Sequence, residues 1–259
     1  MVEMRYGFII LIVMLCIVTK GYAQHSVVST QIAVGAEDVL DTYLSPEKYK
    51  GVEFRFVSDV VRHSGKHPTT YQLTHEGALG YSHNRVKNAH ALTGHYDFAF
   101  AMMHDWSFLD DKLRLHAGGM ADLNLGFNYN TRNSANNPAQ GYASLQIGPN
   151  VLAQYEITLF HKKMFVGYQA RLPIAGVMFS PNYGQSYYEL FSEGNYDSNV
   201  VFHAFKTFQI RQQLSLDIPV AKRTAIRVAY INDIRQGKPN NLKQHHYYNA
   251  GSIGVVINK

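Results

Sequence analysis

QGYASLQIGPNVLAQYEITLF, residues 140–160, sorts into two interleaved lists. Leu145, Ile147, Pro149, Val151, Ala153, Tyr155, Ile157 and Leu159 are apolar. Ser144, Gln146, Gly148, Asn150, Gln154, Glu156 and Thr158 are not, and Leu152 alone breaks the second list. Successive side chains of a strand point to opposite faces, so a period of two held this long reads as one long strand with an apolar face and a polar one. A soluble sandwich or lipocalin-like barrel would turn the apolar face inward; a membrane barrel would press it against lipid.

The same alternation recurs along most of the chain. It predicts ten strands, over 26–36, 51–63, 69–83, 90–108, 112–129, 142–160, 163–180, 199–219, 223–235 and 246–257, with no helical period outside the N-terminal leader. Short links fall at 64–68, 109–111, 161–162 and 220–222. Longer ones fall at 37–50, 84–89, 130–141, 181–198 and 236–245. Strict alternation of short and long links is the pattern of an antiparallel up-and-down transmembrane β-barrel, with short turns on the periplasmic side. Leu92, Tyr96, Phe98, Phe100, Met102 and Trp106 are even-numbered, whereas Leu113 to Phe127 are apolar at odd numbers. Residue numbers must then add to an odd sum in this hairpin, and 221 pairs the two apolar faces.

Residues 1–23 read separately. Arg5 precedes the apolar run 7–18, and Gly21-Tyr22-Ala23 supplies a small-x-small end, so an export signal cut before Gln24 is expected and the barrel occupies 24–259. The run is too short to span a bilayer as a helix. The one cysteine, Cys16, lies inside this leader, which leaves no disulfide framework and no thiol catalyst in the remainder. The net charge of +5 comes from 24 basic residues scattered singly or in pairs. That distribution argues against a nucleic-acid partner and suits solvated turns or anionic headgroups.

Strand length, link asymmetry and the leader favour lipid outside. Aromatics at strand ends suggest interfacial girdles, with Trp106, Phe108, Phe160 and Phe165 at the short-turn end and Phe127, Tyr129, Tyr142 and Phe179 at the other. Lys206 falls on the apolar face but above the apolar band. His75, His104 and Gln212 fall within it, so either a bulge shifts the local register or these positions count against a lipid-facing surface there.

The stretch SPNYGQSYYELFSEGNYDSNVVF (180–202) and the chain from FQIRQQLSLDIPVAK (208–222) to the end carry a resemblance. They are similar to a domain-of-unknown-function family of outer-membrane-type barrels found in the Bacteroidetes group, most clearly from about 165 onward in 180–191, 216–219 and 240–243. The resemblance implies an envelope location and supplies no catalytic residues. Many such barrels end in an aromatic assembly signal, whereas this chain ends Ile257-Asn258-Lys259.

The polar faces would line a lumen: Glu53, Arg55, Asp59, Glu76, His95, Asp97, Arg114, Asp122, Asn124, Asn150, Gln154, Glu156, Gln169, Arg171, His203, Arg211, Asp217 and Arg227. Buried charges must be paired, and a barrel this narrow is easily filled by side chains, so a salt-bridged, mostly plugged interior is expected. His95, Asp97 and Asp122 form the one candidate catalytic group, a histidine near carboxylates that could act as a base in a lipid or peptide hydrolase. His63 with His67, and His245 with His246, lack a third ligand at a metal-site spacing, so no metal and no cofactor is assigned. GQSYY (184–188) fails the nucleophile-elbow pattern at Tyr188. Tyr183, Tyr187, Tyr188 and Phe191 mark a loop that either constricts the lumen or offers a contact surface. The expectation is thus a barrel with a structural, narrow-pore or surface-contact role. Its partners are outer-membrane lipid, lipopolysaccharide and the barrel-assembly machinery, and its oligomeric state is open.

Overall fold

The computed structural model describes residues 23–131, 138–159, 161–194 and 198–259. Residues 1–22 of the predicted leader therefore lie outside the described residues, as does Phe160, and Ala23 opens the first strand. Alternation yields long strands: β1 Ala23–Asp41, β2 Ser45–Ser64, β3 Thr69–His83, β4 His90–Phe108, β5 Leu113–Asn130 and β6 Ala139–Leu159. They are followed by β7 Lys162–Arg171, β8 Ala175–Phe179, β9 Val200–Ala204, β10 Phe208–Ala221, β11 Thr224–Gly237 and β12 Gln244–Asn258. All pairings are antiparallel, and they close one ring in the order β1, β2, β3, β4, β5, β6, β7, β10, β11, β12 and back to β1. β8 and β9 continue the β7 and β10 positions outward, so the ring has ten positions. The β4–β5 hairpin has the register read from parity, with Asp97 opposite Asn124 and Ala99 opposite Asp122.

Exposure settles which face is outside. Val34, Ile147, Leu214 and Ile253 are 54%, 59%, 53% and 55% exposed, whereas Gln31, Arg55 and Glu76 on the alternate faces are 1%, 0% and 0% exposed. The apolar stripes are the exterior. A soluble sandwich, which needs them inside, does not describe this molecule.

Several expectations are corrected. The link 37–50 is not a loop: β1 and β2 run through it and leave only Thr42, Tyr43 and Leu44, because the in-out pattern continues through buried Glu37, Val39 and Tyr49. The strand read over 163–180 breaks between β7 and β8 at Pro173, which has no N–H to give to the ladder. Leu172 and Ile174 still donate to Pro149 and Ile147. The strand over 199–219 breaks at 205–207, where Phe205 has a positive φ of 57°, and Lys206 sits in this break.

No register shift accompanies His75, His104 or Gln212. Each meets a neighbouring side chain instead. A His75 ring nitrogen lies 2.6 Å from the Tyr96 hydroxyl, Tyr168 donates to Gln212 at 2.7 Å, and the His104 ring meets Trp106 edge-on at 4.6 Å. Trp106, Phe108, Phe127 and Tyr129 face outward as a girdle requires. Tyr142 does not: it points inward and its hydroxyl donates to Asp41. The chain also has a helix where none was expected, α1, Tyr187–Phe191.

Candidate functional site: a charged plug in the lumen

Inward parity brings charges of both signs to the middle of the bore. Arg55, fully buried on β2, pairs with Glu53, with Glu76 of β3 at 2.5 Å and with Asp233 of β11 at 2.7 Å. Its guanidinium carbon lies 3.8 Å from the centroid of the Tyr248 ring, a cation–π contact. Two further pairs cross the bore. Glu76 Oε2 lies 2.7 Å from Arg211 Nε in an ion pair, and β3 and β10 hold the third and eighth of the ten ring positions. Asp97 accepts two hydrogen bonds from Arg235, at 3.1 and 2.7 Å, and β4 and β11 hold the fourth and ninth. Arg171 Nη2 stands 3.5 Å from Glu76 and its Nη1 is 3.8 Å from Asp122. Burying these charges is tolerable because each meets an opposite charge at ion-pairing distance.

The plug lies between two small cavities. One, of about 110 Å³, opens toward the long-loop end between His95, Asn124, Asn128, Tyr142, Arg235 and His246. The other, of about 70 Å³, lies toward the short-turn end and includes Asp59, His63, His116, Asp217 and Arg227. Between the pairs the filling continues: Asn150 of β6 donates to Gln72 of β3 at 3.1 Å, and Ser252 donates to Gln31 at 3.1 Å.

Over the long-loop mouth lies α1. Ser186 and Glu189 form a reciprocal capping box, with Glu189 N donating to Ser186 Oγ at 3.2 Å and Ser186 N to Glu189 Oε2 at 2.8 Å. The Tyr187 hydroxyl accepts from Gly141 N at 2.5 Å, and Tyr43 of the β1–β2 turn donates to the Gln185 carbonyl at 2.7 Å. Burial and the neighbouring Tyr187 push the Tyr43 phenol up to about 12, and burial also raises that of Tyr187. Leu190 is buried, while Tyr183, Tyr188 and Phe191 are 83%, 69% and 77% exposed. The four aromatics thus divide, Tyr187 anchoring the cap and the other three projecting from it.

Of the anticipated lumen residues, Arg55, Glu76, Asp97, Asp122, Arg171 and Arg211 meet in the plug. Asn124 donates to Asp97 at 2.5 Å, and Arg227 forms a two-point pair with Asp217 at 2.6 and 2.7 Å. His203 is buried beside Gln146 at 3.0 Å, near the broken strands. Arg114 is exposed, Gln154 is half-buried, and Glu156 pairs with Lys163 at 2.7 Å, so these three stand near the short-turn rim.

The catalytic grouping is brought together only partly. His95 Nε2 is 3.6 Å from Asp97 Oδ2, beyond hydrogen-bonding range, and Asp97 is committed to Arg235 and Asn124. Sequence reading missed Glu37, Asp233, Arg235 and Tyr248, and did not place His246 in the lumen. Odd parity carried from Arg227 through Asp233 to Arg235 was the available signal, as was S-x-x-E for the helix. His246 Nε2 reaches Glu53 at 2.8 Å and Glu37 at 3.6 Å, and its ring meets His95 at 5.4 Å. Glu53, His95 and His246 bring three metal-ligating atoms within 4.8 Å, although Arg55 already neutralises Glu53.

A family model described as "Protein of unknown function (DUF3316)" matches residues 9–258. Comparison with curated proteins gives no match. Among solved structures, the outer membrane protease OmpT from Escherichia coli is similar over 92% of this chain and 98% of its own, at 6% identity and a TM-score of 0.49. The translocator domain of the autotransporter NalP from Neisseria meningitidis is similar over 98% and 95%, at 12% identity and 0.45. The transport unit of the autotransporter AIDA-I from E. coli is similar over 92% and 91%, at 8% identity and 0.46.

Proposed function

Because this chain belongs to the DUF3316 family, whose description prescribes no chemistry, we propose from the geometry alone that it is an outer-membrane barrel closed to solute flow, with a surface-contact role. The observation that carries the reading is the pair of ionic bridges across the bore, Arg235–Asp97 and Arg211–Glu76, which stand between the two cavities. A barrel plugged at its waist and capped by α1 offers its environment a surface. The exposed Tyr183, Tyr188 and Phe191 are the part of that surface best suited to contact, since aromatics supply large apolar area on a stiff side chain.

In this reading residues 1–23 are removed on export and 24–259 fold with the barrel-assembly machinery. The apolar exterior meets outer-membrane lipid and lipopolysaccharide, the short turns face the periplasm and α1 faces outside. The resemblance to barrels of the Bacteroidetes group supports a Gram-negative envelope. The test uses the absence of cysteine after Cys16. A Tyr183→Cys variant in intact cells should react with a membrane-impermeant maleimide, and a cysteine placed in the β2–β3 turn, as Lys66→Cys, should not. The reverse pattern, or no labelling of either until lysis, would overturn the orientation.

A wall-embedded hydrolase is the second reading, favoured by one observation: His95 lines the outer cavity. Asp97 is held by Arg235 rather than orienting His95, so the geometry supports this reading less.

A further inference from the structure

Four consecutive strands send one inward side chain each to the same point at the short-turn mouth: His63 of β2, Thr70 of β3, Asp105 of β4 and His116 of β5. His63 faces Thr70 and Asp105 faces His116 as direct cross-strand partners. Asp105 presents one oxygen to each imidazole, Oδ1 at 2.8 Å from His116 Nδ1 and Oδ2 at 3.9 Å from His63 Nδ1. Thr70 Oγ1 sits between the rings, 2.7 Å from His63 Nδ1 and 3.3 Å from His116 Nδ1. The metal-ligating atoms of His63, Asp105 and His116 all lie within 4.8 Å of one another.

We propose that His63, Asp105 and His116 bind a divalent transition-metal ion, zinc in the first instance, at the short-turn mouth of the barrel. Two imidazoles and a carboxylate suit zinc and its first-row neighbours, and leave a fourth position for the Thr70 hydroxyl or a solvent oxygen. Zinc bonds of about 2.0–2.2 Å place tetrahedral ligand atoms about 3.3–3.5 Å apart. One ligand atom from each of the three residues already lies within 4.8 Å of the others, so side-chain rotation is what completes the site.

Charge distinguishes this cluster from the two in the plug. Glu53, Glu76 and Asp233 all carry Arg55. Asp105, among the described residues, is ion-paired only with the two histidines. A bound cation would answer the carboxylate there without competing with a guanidinium. His63 and His116 also line the 70 Å³ cavity, so a bound ion would face it.

The test is calorimetric titration of Zn²⁺ into the full chain, untagged, purified from membranes in detergent and stripped with EDTA. One ion per chain is expected, with affinity falling at least about tenfold in His63→Ala, Asp105→Asn and His116→Ala. Each variant is first checked for the heat-dependent gel shift of a closed barrel, and His245→Ala at the opposite mouth should bind as the parent does. Co²⁺ supplies a second readout on the parent itself: its visible spectrum should report a four- or five-coordinate site with nitrogen ligands, which decides the matter if a variant does not fold. The proposal is overturned by a parent that binds no zinc, by equal binding in all three variants, or by loss in His95→Ala and His246→Ala alone.

Discussion

Arg235 and Asp97 face each other across the bore from strands at the ninth and fourth of ten ring positions, and join in a two-point ion pair of 3.1 and 2.7 Å. Asp97 Oδ1 also accepts from Asn124, and Arg235 also holds Asp233 at 2.8 Å, so the pair ties β4, β5 and β11 together. Removing one partner leaves an uncompensated charge in the bore. Asp97→Asn should therefore lower unfolding stability in lipid vesicles by up to about 3–5 kcal/mol, less where water reaches Arg235. The double change Asp97→Leu with Arg235→Met should cost less than Asp97→Asn alone. Urea midpoints read both, and strict additivity would contradict the coupling.

The outward stripes give a test of which face meets lipid. Val228 stands on β11, 49% exposed and four residues above the start of the strand at Thr224. At about 2.4 Å of height per residue, from the strand rise and a tilt near 45°, that is near the middle of the apolar band. Val228→Arg should cost about 2–4 kcal/mol of stability in a bilayer and slow insertion. An effect within experimental error would mean that this face meets water.

The cap depends on one phenol. Tyr187→Phe removes the acceptor of Gly141 N–H and should weaken docking of α1 by about 1 kcal/mol. Global stability should scarcely change, since the ring is untouched. Limited proteolysis reads the effect as faster cleavage within 181–194, and unchanged cleavage would show that Leu190 and the Tyr43 bond suffice to hold the cap.

A further consequence concerns alkaline pH. The Tyr43 phenol titrates near 12 in the folded protein, because burial and Tyr187 disfavour its phenolate, against about 10 unfolded. The unfolded form therefore binds fewer protons between these values. Stability from this group is complete below about pH 10 and is lost as pH rises toward 12. Phenolate absorbance should show late-titrating tyrosines, one fewer of them in Tyr43→Phe; a titration curve unchanged by that substitution would contradict the raised phenol at Tyr43.

Much of this fold was legible because a barrel is built from one local rule. Parity fixed the strands, the face of each side chain and the β4–β5 register, in which residue numbers add to 221. That same sum pairs Asp105 with His116, so half of the proposed metal site was written in the sequence, but His63 joins only through the intervening β3. The interruption at Pro173 was harder to see, since Leu172, Ile174 and Met178 are apolar on the expected parity although the outward face passes to Val177; at 205–207 the signal was Lys206 on the apolar parity. The plug was only half legible. Periodicity says that Asp97 and Arg235 both point inward, but their meeting depends on closure of the ring and on the reach of a guanidinium across it, neither of which leaves a local signal.

The plug is tested most directly by reconstituting the purified barrel into planar lipid bilayers and recording single-channel current. The expected result is no steady conductance from the parent chain, and stepwise conductance once Asp97→Ala, Arg235→Ala and Glu76→Ala are combined. A stable open current from the parent, unchanged in the triple variant, would contradict a closed bore.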